Sequence, residues 1–301
     1  MNAAIEVSDL AKRYGDTAAV DGVSFEVSTG EFFGILGPNG AGKTTTLEII
    51  EGLREPDSGT VSLLGQSPWP RNNDLAMRIG VQLQASAFFE RLTAREQLHT
   101  FADLYGKSAS RADEMLELVG LTEKAATRIE KLSGGQAQRL SIACALVHDP
   151  EMVFLDEPTA ALDPQARRNL WDLLRQVNAD GRTVVLTTHH MDEAESLCER
   201  VAIMDNGRIL TVDTPAALVR SLDSATHISI SSGFLSPEEA ARVAGGVATT
   251  DDDGLDLTFT TRDPAAVLTA LAERSALDGL RVQGATLEDV FLELTGREYR
   301  A

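Results

Sequence analysis

Residues 31–53 read EFFGILGPNGAGKTTTLEIIEGL. An apolar run of Phe, Ile and Leu gives way to the segment Gly37-Pro38-Asn39-Gly40-Ala41-Gly42-Lys43-Thr44, after which apolar residues return at helical spacing. Every fixed position of G-x-x-x-x-G-K-[ST] is filled, between a strand and a helix as that pattern requires. A strand feeding straight into a helix in this way belongs to a mostly parallel sheet covered by helices, which makes the chain α/β. The glycines let successive N–H groups turn inward around an oxyanion, and the helix N-terminus adds partial positive charge. Lys43 supplies a point charge for β/γ-phosphates, Thr44 supplies a hydroxyl for Mg2+, and Thr45 is a candidate for an α-phosphate.

A second apolar strand, MVFLDEP, ends in Asp156 and Glu157. Alone, two acids there would serve only to end a strand or cap a helix. Beside a phosphate loop they have sharper roles. An Asp at a strand end helps to hold Mg2+. A Glu one step further is placed to accept a proton from an attacking water, or to orient it.

Strand and helix patterns alternate between these segments and beyond. Ile5, Val7 and Leu10, then Val23, Phe25 and Val27, predict an N-terminal pair of strands, and Thr60–Leu64 a short third. Residues Ala94 to Leu121 read as a helical stretch, Ala137–Val147 and Gln165–Asn178 as helices, and Thr183–Thr187 and Val201–Met204 as buried strands. The composition shifts near residue 220. After Leu222 there is no lysine, with fourteen acids against six arginines. The tail reads β-α-β-β-α-β plus a last helix, which suggests a small ferredoxin-like domain. Asp251-Asp252-Asp253-Gly254 is expected to be a solvated hairpin turn, with a calcium site as the alternative.

The balance of 27 basic and 46 acidic residues, a net −19, argues against a broad nucleic-acid surface, and no nucleic acid is expected as a partner. Cys144 and Cys198 lie in apolar surroundings and read as buried small side chains rather than a disulfide or metal pair. The N-terminus shows no basic, then apolar, leader pattern, and no apolar run reaches the ~18–20 residues that span a bilayer. A cytoplasmic chain is therefore expected, reaching the membrane only through a partner.

Four motifs in order, GPNGAGKT, LSGGQ, VFLDEP and TTHH, make Ile5 to about Ala217 resemble the ATPase subunit of an ATP-binding cassette (ABC) transporter. LSGGQ is the most family-specific of the four. The resemblance implies a P-loop ATPase core with an antiparallel β subdomain, a helical subdomain at about 85–150 and a boundary near 220, leaving 221–301 as a small α+β domain. It implies ATP and Mg2+ as ligands. It makes Tyr14 the aromatic that stacks on adenine, where an ordinary hairpin aromatic is the alternative; a π-face suits any purine. It makes Gln84 the glutamine that senses Mg2+ and couples to the membrane partner, with Gln82 as the competing position. His189 becomes the histidine that contacts the γ-phosphate, Glu157 the group that activates water, and Lys43 and His189 the groups that stabilise γ-phosphate charge.

Ser133-Gly134-Gly135-Gln136 offers a hydroxyl and close backbone approach before a helix, a second anion site in one chain. The family resolves this by a head-to-tail homodimer, in which Ser133, Gly134, Gly135, Gln136 and Asp163 face the partner's ATP. The stretch TTHHMDEAESLCERVAIMDNGRI is similar to ABC-2-type exporter ATPases, and ATLEDVFLELTGREYR to the tail of daunorubicin/doxorubicin-resistance ATPases. Together they imply an ATP-hydrolysing subunit on the cytoplasmic face of the membrane that drives a separate ABC-2-type permease exporting drugs, antibiotics or similar lipophilic compounds. A soluble ABC ATPase acting on ribosomes or DNA, and an exporter of sodium ions or lipids, are the alternatives.

Overall fold

A computed structural model describes residues 3–83, 88–89, 91–160, 162–222 and 225–296. Alternating apolar residues build an antiparallel hairpin, β1 (Ala3–Tyr14) and β2 (Thr17–Ser28), in which Ile5, Val7 and Leu10 stand opposite Val27, Phe25 and Val23. Then come β3 (Phe32–Leu36), α1 (Lys43–Ile50), β4 (Ser58–Leu63), α2 (Asn73–Ala76) and β5 (Ile79–Gln82). Three helices follow: α3 (Ala94–Leu104), α4 (Ala109–Leu118) and α5 (Gly134–Leu146). Strands and helices then alternate as β6 (Met152–Asp156), α6 (Pro164–Ala179), β7 (Thr183–Thr188), α7 (Met191–Leu197), β8 (Arg200–Asp205), β9 (Arg208–Asp213) and α8 (Pro215–Ser221). The chain divides after Pro215 into two compact units.

In the first unit the central sheet runs β5-β6-β7-β3-β8-β9. Its first five strands are parallel and β9 is an antiparallel edge. Every residue of β3, β6 and β7 is buried, as strands covered on both faces must be. A smaller antiparallel sheet, β2-β1-β4, packs into the same core, where Phe25 stacks on Phe33 at 5.3 Å between ring centroids.

The helical stretch Ala94 to Leu121 is built as two helices, because Gly106 takes a left-handed φ of 65° and ends the first while Ser108 stands at the N-cap of the second. Two local readings are corrected. Helix α5 starts at Gly134 rather than Ala137, because the Ser133 hydroxyl accepts the Gln136 N–H and so caps the helix earlier. Asp251 and Asp252 belong to a strand and not to the turn. Strands β5 and β9 were not foreseen.

The second unit contains β10 (Thr226–Ser231), α9 (Pro237–Ala244), β11 (Ala248–Asp252), β12 (Asp256–Thr261), α10 (Pro264–Ala272), β13 (Arg281–Gln283) and α11 (Leu287–Thr295). Its sheet order, β11-β12-β10-β13, is antiparallel throughout, the split β-α-β arrangement of ferredoxin-like folds. Strands β10 and β12 alternate. Ile228, Ile230, Leu257 and Phe259 point into a core with Val267 and Leu271, while Ser229 and Thr258 hydrogen-bond on the other face at 2.9 Å. The β11–β12 turn narrows to Asp253-Gly254-Leu255, with Asp253 Oδ1 accepting from the N–H groups of Leu255 and Asp256 at 2.9 Å.

Candidate functional site

Strands β3, β6 and β7 are neighbours, so their C-terminal ends deliver Leu36, Asp156 and Thr188 to one edge of the sheet, the place where open α/β sheets bind ligands. From Leu36 the chain turns sharply. Gly37 donates its N–H to Thr188 O at 3.3 Å. A Cβ at Gly37 would lie 2.2 Å from Met204 O, and one at Gly42, where φ is 106°, would lie 2.2 Å from Ala19 O. Both positions therefore require glycine, and the bare backbone lines the site. Helix α1 begins at Lys43. This lysine is 4 % exposed, and its ammonium donates to Gly37 O at 2.8 Å and Pro38 O at 3.2 Å, folding back over the loop that precedes it.

Asp156 closes the opposite side. The Thr44 hydroxyl donates to its two oxygens at 3.0 and 3.2 Å, and the Thr187 hydroxyl donates to Oδ1. Burial raises the Asp156 pKa, and the hydroxyls of Thr187 and Thr44 oppose that rise. Glu157 follows with a left-handed φ of 49°, a conformation that bulky residues hold only when surrounding contacts enforce it. Those contacts come from Thr187, whose carbonyl and hydroxyl accept the Glu157 N–H at 3.2 and 3.0 Å. The twist aims the carboxylate between two partners. Glu157 Oε1 lies 3.1 Å from Lys43 Nζ, and Oε2 lies 2.6 Å from His189 Nδ1. The His190 ring packs on His189 at 4.1 Å, and burial lowers the His190 pKa.

A cavity of about 430 Å³ opens over this group, lined by Tyr14, Asn39, Lys43, Thr44, Thr45 and Glu157 among others. Tyr14, at the end of β1, is 44 % exposed, with the Arg54 guanidinium 5.4 Å from its ring centroid. One face of the ring is thereby backed and the other is available. Thr44 lines the cavity and its hydroxyl meets the Asp156 carboxylate, giving two oxygen ligands of the kind Mg2+ prefers, so the residues present fit a magnesium–nucleotide.

Two groups of sequence-selected residues are not part of this cavity. Ser133 and Gly134 are exposed at the N-terminus of α5, and the Ser133 hydroxyl and Gln136 side chain form a reciprocal cap at 3.3 and 3.0 Å. Gly135 packs against α6, where a Cβ would lie 3.3 Å from Ala166 Cβ. Asp163 caps α6, its carboxylate accepting the N–H groups of Gln165 and Ala166 at 3.0 and 2.9 Å. The Ser133 loop and the Asp163 loop are thus neighbours, remote in role from Lys43. Gln84 lies outside the described residues. Its competitor Gln82 is 1 % exposed and donates to Leu83 O at 2.5 Å. Sequence reasoning missed Thr187 and Arg54. Thr187 sits at the C-terminal end of β7, one residue before its last, and its place in the TTHH motif was the available signal.

The ABC transporter family matches residues 20–160. A Nod factor export ATP-binding protein I of Paraburkholderia xenovorans (strain LB400) is 43% identical over 304 residues, covering 98% of each chain. The protein of the same name from Sinorhizobium fredii (strain NBRC 101917 / NGR234) is 41% identical over 99% of this chain and 87% of its own. The chain belongs to the ABC transporter ATPase family. Among solved structures, an ATP-binding subunit of an ABC transporter superposes with a TM-score of 0.65 at 30% identity, over 72% of this chain and 92% of that one. A dimeric ATP-binding cassette in a post-hydrolysis state with ADP and Pi superposes with a TM-score of 0.64 at 30% identity, over 70% and 98%. The fold is the P-loop ABC ATPase fold, and this ABC ATPase uses ATP with Mg2+ and couples its hydrolysis to transport. Among the described residues no helix is long and apolar enough to cross a membrane.

Proposed function

We propose that the chain is the ATP-hydrolysing subunit of an exporter, acting as a head-to-tail homodimer on the cytoplasmic face of the membrane beneath a separate ABC-2-type permease. The observation that carries this reading is the convergence of Tyr14, Lys43, Thr44 and Glu157 on one cavity, with Asp156 hydrogen-bonded to Thr44 and Ser133 exposed elsewhere at a capped helix N-terminus. Tyr14 stacks the base, residues 37–45 wrap the phosphates, and Thr44 and Asp156, with Gln84, hold Mg2+. The metal neutralises phosphate charge when bound. Lys43 and His189 stabilise charge on the γ-phosphate, while Glu157 takes the proton of the attacking water.

Ser133, Gly134, Gly135, Gln136 and Asp163 do not line the cavity over Lys43 in their own chain. In the homodimer they close over the partner's ATP, and two identical half-sites make two complete ones. The dimeric ATP-binding cassette described above supports this arrangement. The test is ATP-dependent dimerisation of the Glu157→Gln variant by light scattering. A variant that binds ATP yet stays monomeric at every concentration would overturn the homodimer.

The cargo proposed is a lipophilic compound of the drug or antibiotic kind. A second reading, Nod factor export, is favoured by the 43% identity that runs along 98% of the chain. Transport by the ATPase and permease reconstituted together in vesicles, assayed with both classes of compound, separates the two.

A further inference from the structure

Among the described residues, two buried carboxylates keep an oxygen with no hydrogen-bond partner, Glu51 and Glu193. Glu51 stands at the C-cap of α1 and lines a cavity of about 270 Å³ whose walls include Leu75, Phe101, Tyr105 and His148. Burial, then the charges of Asp156 and Glu48, push its pKa well above the usual carboxylate range. Glu193 lies closer to the chemistry. It is the third residue of α7 and is 0 % exposed. A Glu at that position of a helix ordinarily reaches back to the N–H of the N-cap residue. Here the N-cap is His190, and its N–H donates to the Thr188 hydroxyl at 2.9 Å instead. The Glu193 side chain turns inward.

Three segments of the chain meet its carboxyl. The indole N–H of Trp171, on α6, donates to Oε1 at 3.1 Å. The hydroxyls of Thr188 and Thr159 face the carboxyl as well. Burial pushes the Glu193 pKa up, and these three donors, with the charge of Arg167, oppose the rise. Thr188 ends β7, directly before His189. Its oxygen already accepts from His190, so its own proton is left to donate. Thr159 lies two residues after Glu157, in a turn where the Ala160 N–H donates to Glu157 O at 3.3 Å. Thr159 is 0 % exposed, and its hydroxyl faces Glu193 without closing a hydrogen bond on Oε2. The acid thus addresses the two backbone segments whose side chains meet where Glu157 Oε2 lies 2.6 Å from His189 Nδ1. A carboxyl buried this fully is costly, and an apolar side chain of similar volume would fill the place at lower cost. What an apolar side chain lacks is a pair of oxygens that can take one hydroxyl from each segment.

We infer that Glu193 is a positioning residue for hydrolysis: its carboxyl ties the Thr159 turn to the Thr188 strand end and so keeps Glu157 and His189 in register. This rests on the reading that Glu157 and His189 act on the nucleotide. The test measures ATPase activity of the full chain, with competent sites counted by nucleotide binding. Glu193→Leu should lower kcat per site by up to about 10²-fold with KM for ATP unchanged, because the reacting groups are misplaced while the phosphate loop is intact. Glu193→Gln keeps two hydrogen-bonding atoms and should restore most of that loss. Thr159→Val removes one hydroxyl at constant shape and serves where Glu193→Leu does not fold. It should lower kcat by about threefold or more, and should have no further effect in the Glu193→Leu background. A purely structural role would reduce the number of competent sites and leave kcat per site at the wild-type value, which overturns the inference. Equal losses in Glu193→Gln and Glu193→Leu overturn it too, as does an unchanged kcat in Thr159→Val. Glu157→Gln, measured beside them, tests the underlying reading: wild-type turnover there overturns the role of Glu157, and this inference with it.

Discussion

The Lys43 ammonium stands 3.1 Å from a Glu157 carboxylate oxygen, with the two side chains 4% and 7% exposed. The pair joins the residue proposed to bind phosphate to the residue proposed to activate water. On that proposal, phosphate oxygens compete with Glu157 for Lys43, and the carboxylate that loses this partner is freed to act as a base.

Replacing Lys43 by Ala removes both functions of that ammonium. ATP hydrolysis is expected to fall by about 10²–10³-fold, the loss typical for a group that stabilises developing charge. The nucleotide-free variant should also lose about 1–3 kcal/mol of stability, because a buried acceptor loses a partner. Urea unfolding checks the second effect. Adding Glu157→Gln to Lys43→Ala should restore part of the loss, and strict additivity would sink the coupling.

Glu157→Gln keeps the side-chain shape and removes the base. Turnover should drop by about 10²–10⁴-fold while ATP binding is retained, which single-turnover kinetics beside nucleotide titration will show. Wild-type turnover in this variant would remove Glu157 from the chemistry.

Ser133 gives a contrast between two substitutions. Ser133→Ala removes the α5 cap and should cost about 1 kcal/mol of stability. Ser133→Arg, at an exposed position outside the lining of the cavity, should leave ATP binding by the monomer intact and abolish dimer closure and hydrolysis. Normal hydrolysis by Ser133→Arg would refute the two-chain site.

Glu51 makes stability depend on pH. Its folded pKa is raised from an ordinary 4.5, so the folded chain keeps a proton that the unfolded chain releases. That stability is fully present below the unfolded value and is lost as pH rises toward the folded one. Glu51→Gln has no proton to lose. It should be more stable than wild type at pH 8, with the gap closing as pH falls toward 4.5, measured by thermal unfolding across that range.

The phosphate loop was legible in sequence because its meaning is local: strand, turn and helix are contiguous, and the glycines answer to contacts with their own backbone surroundings. The β10–β13 tail was legible for the same reason, through period-two alternation at Ile228 and Ile230 against Ser229. The Lys43–Glu157 pair was not, because it depends on β7 lying between β3 and β6 in the sheet order, which no spacing states. Thr187 was hidden in a strand buried on both faces, where a threonine carries no sign of which neighbour its hydroxyl meets. Nothing in the sequence singles out Glu51; only the meeting of residues from 51 to 148 around one groove brings out its surroundings.

Helix α1 has eight residues, about 12 Å of rise. It is a short keyed shaft. The phosphate loop grips one end and Glu51 projects from the other, and the residue count between them fixes their relative phase as firmly as their spacing. One inserted residue would swing Glu51 about 100° around the axis and leave GPNGAGKT untouched. Such a chain would keep its phosphate loop while the far end of α1 pointed at the wrong wall of its cavity.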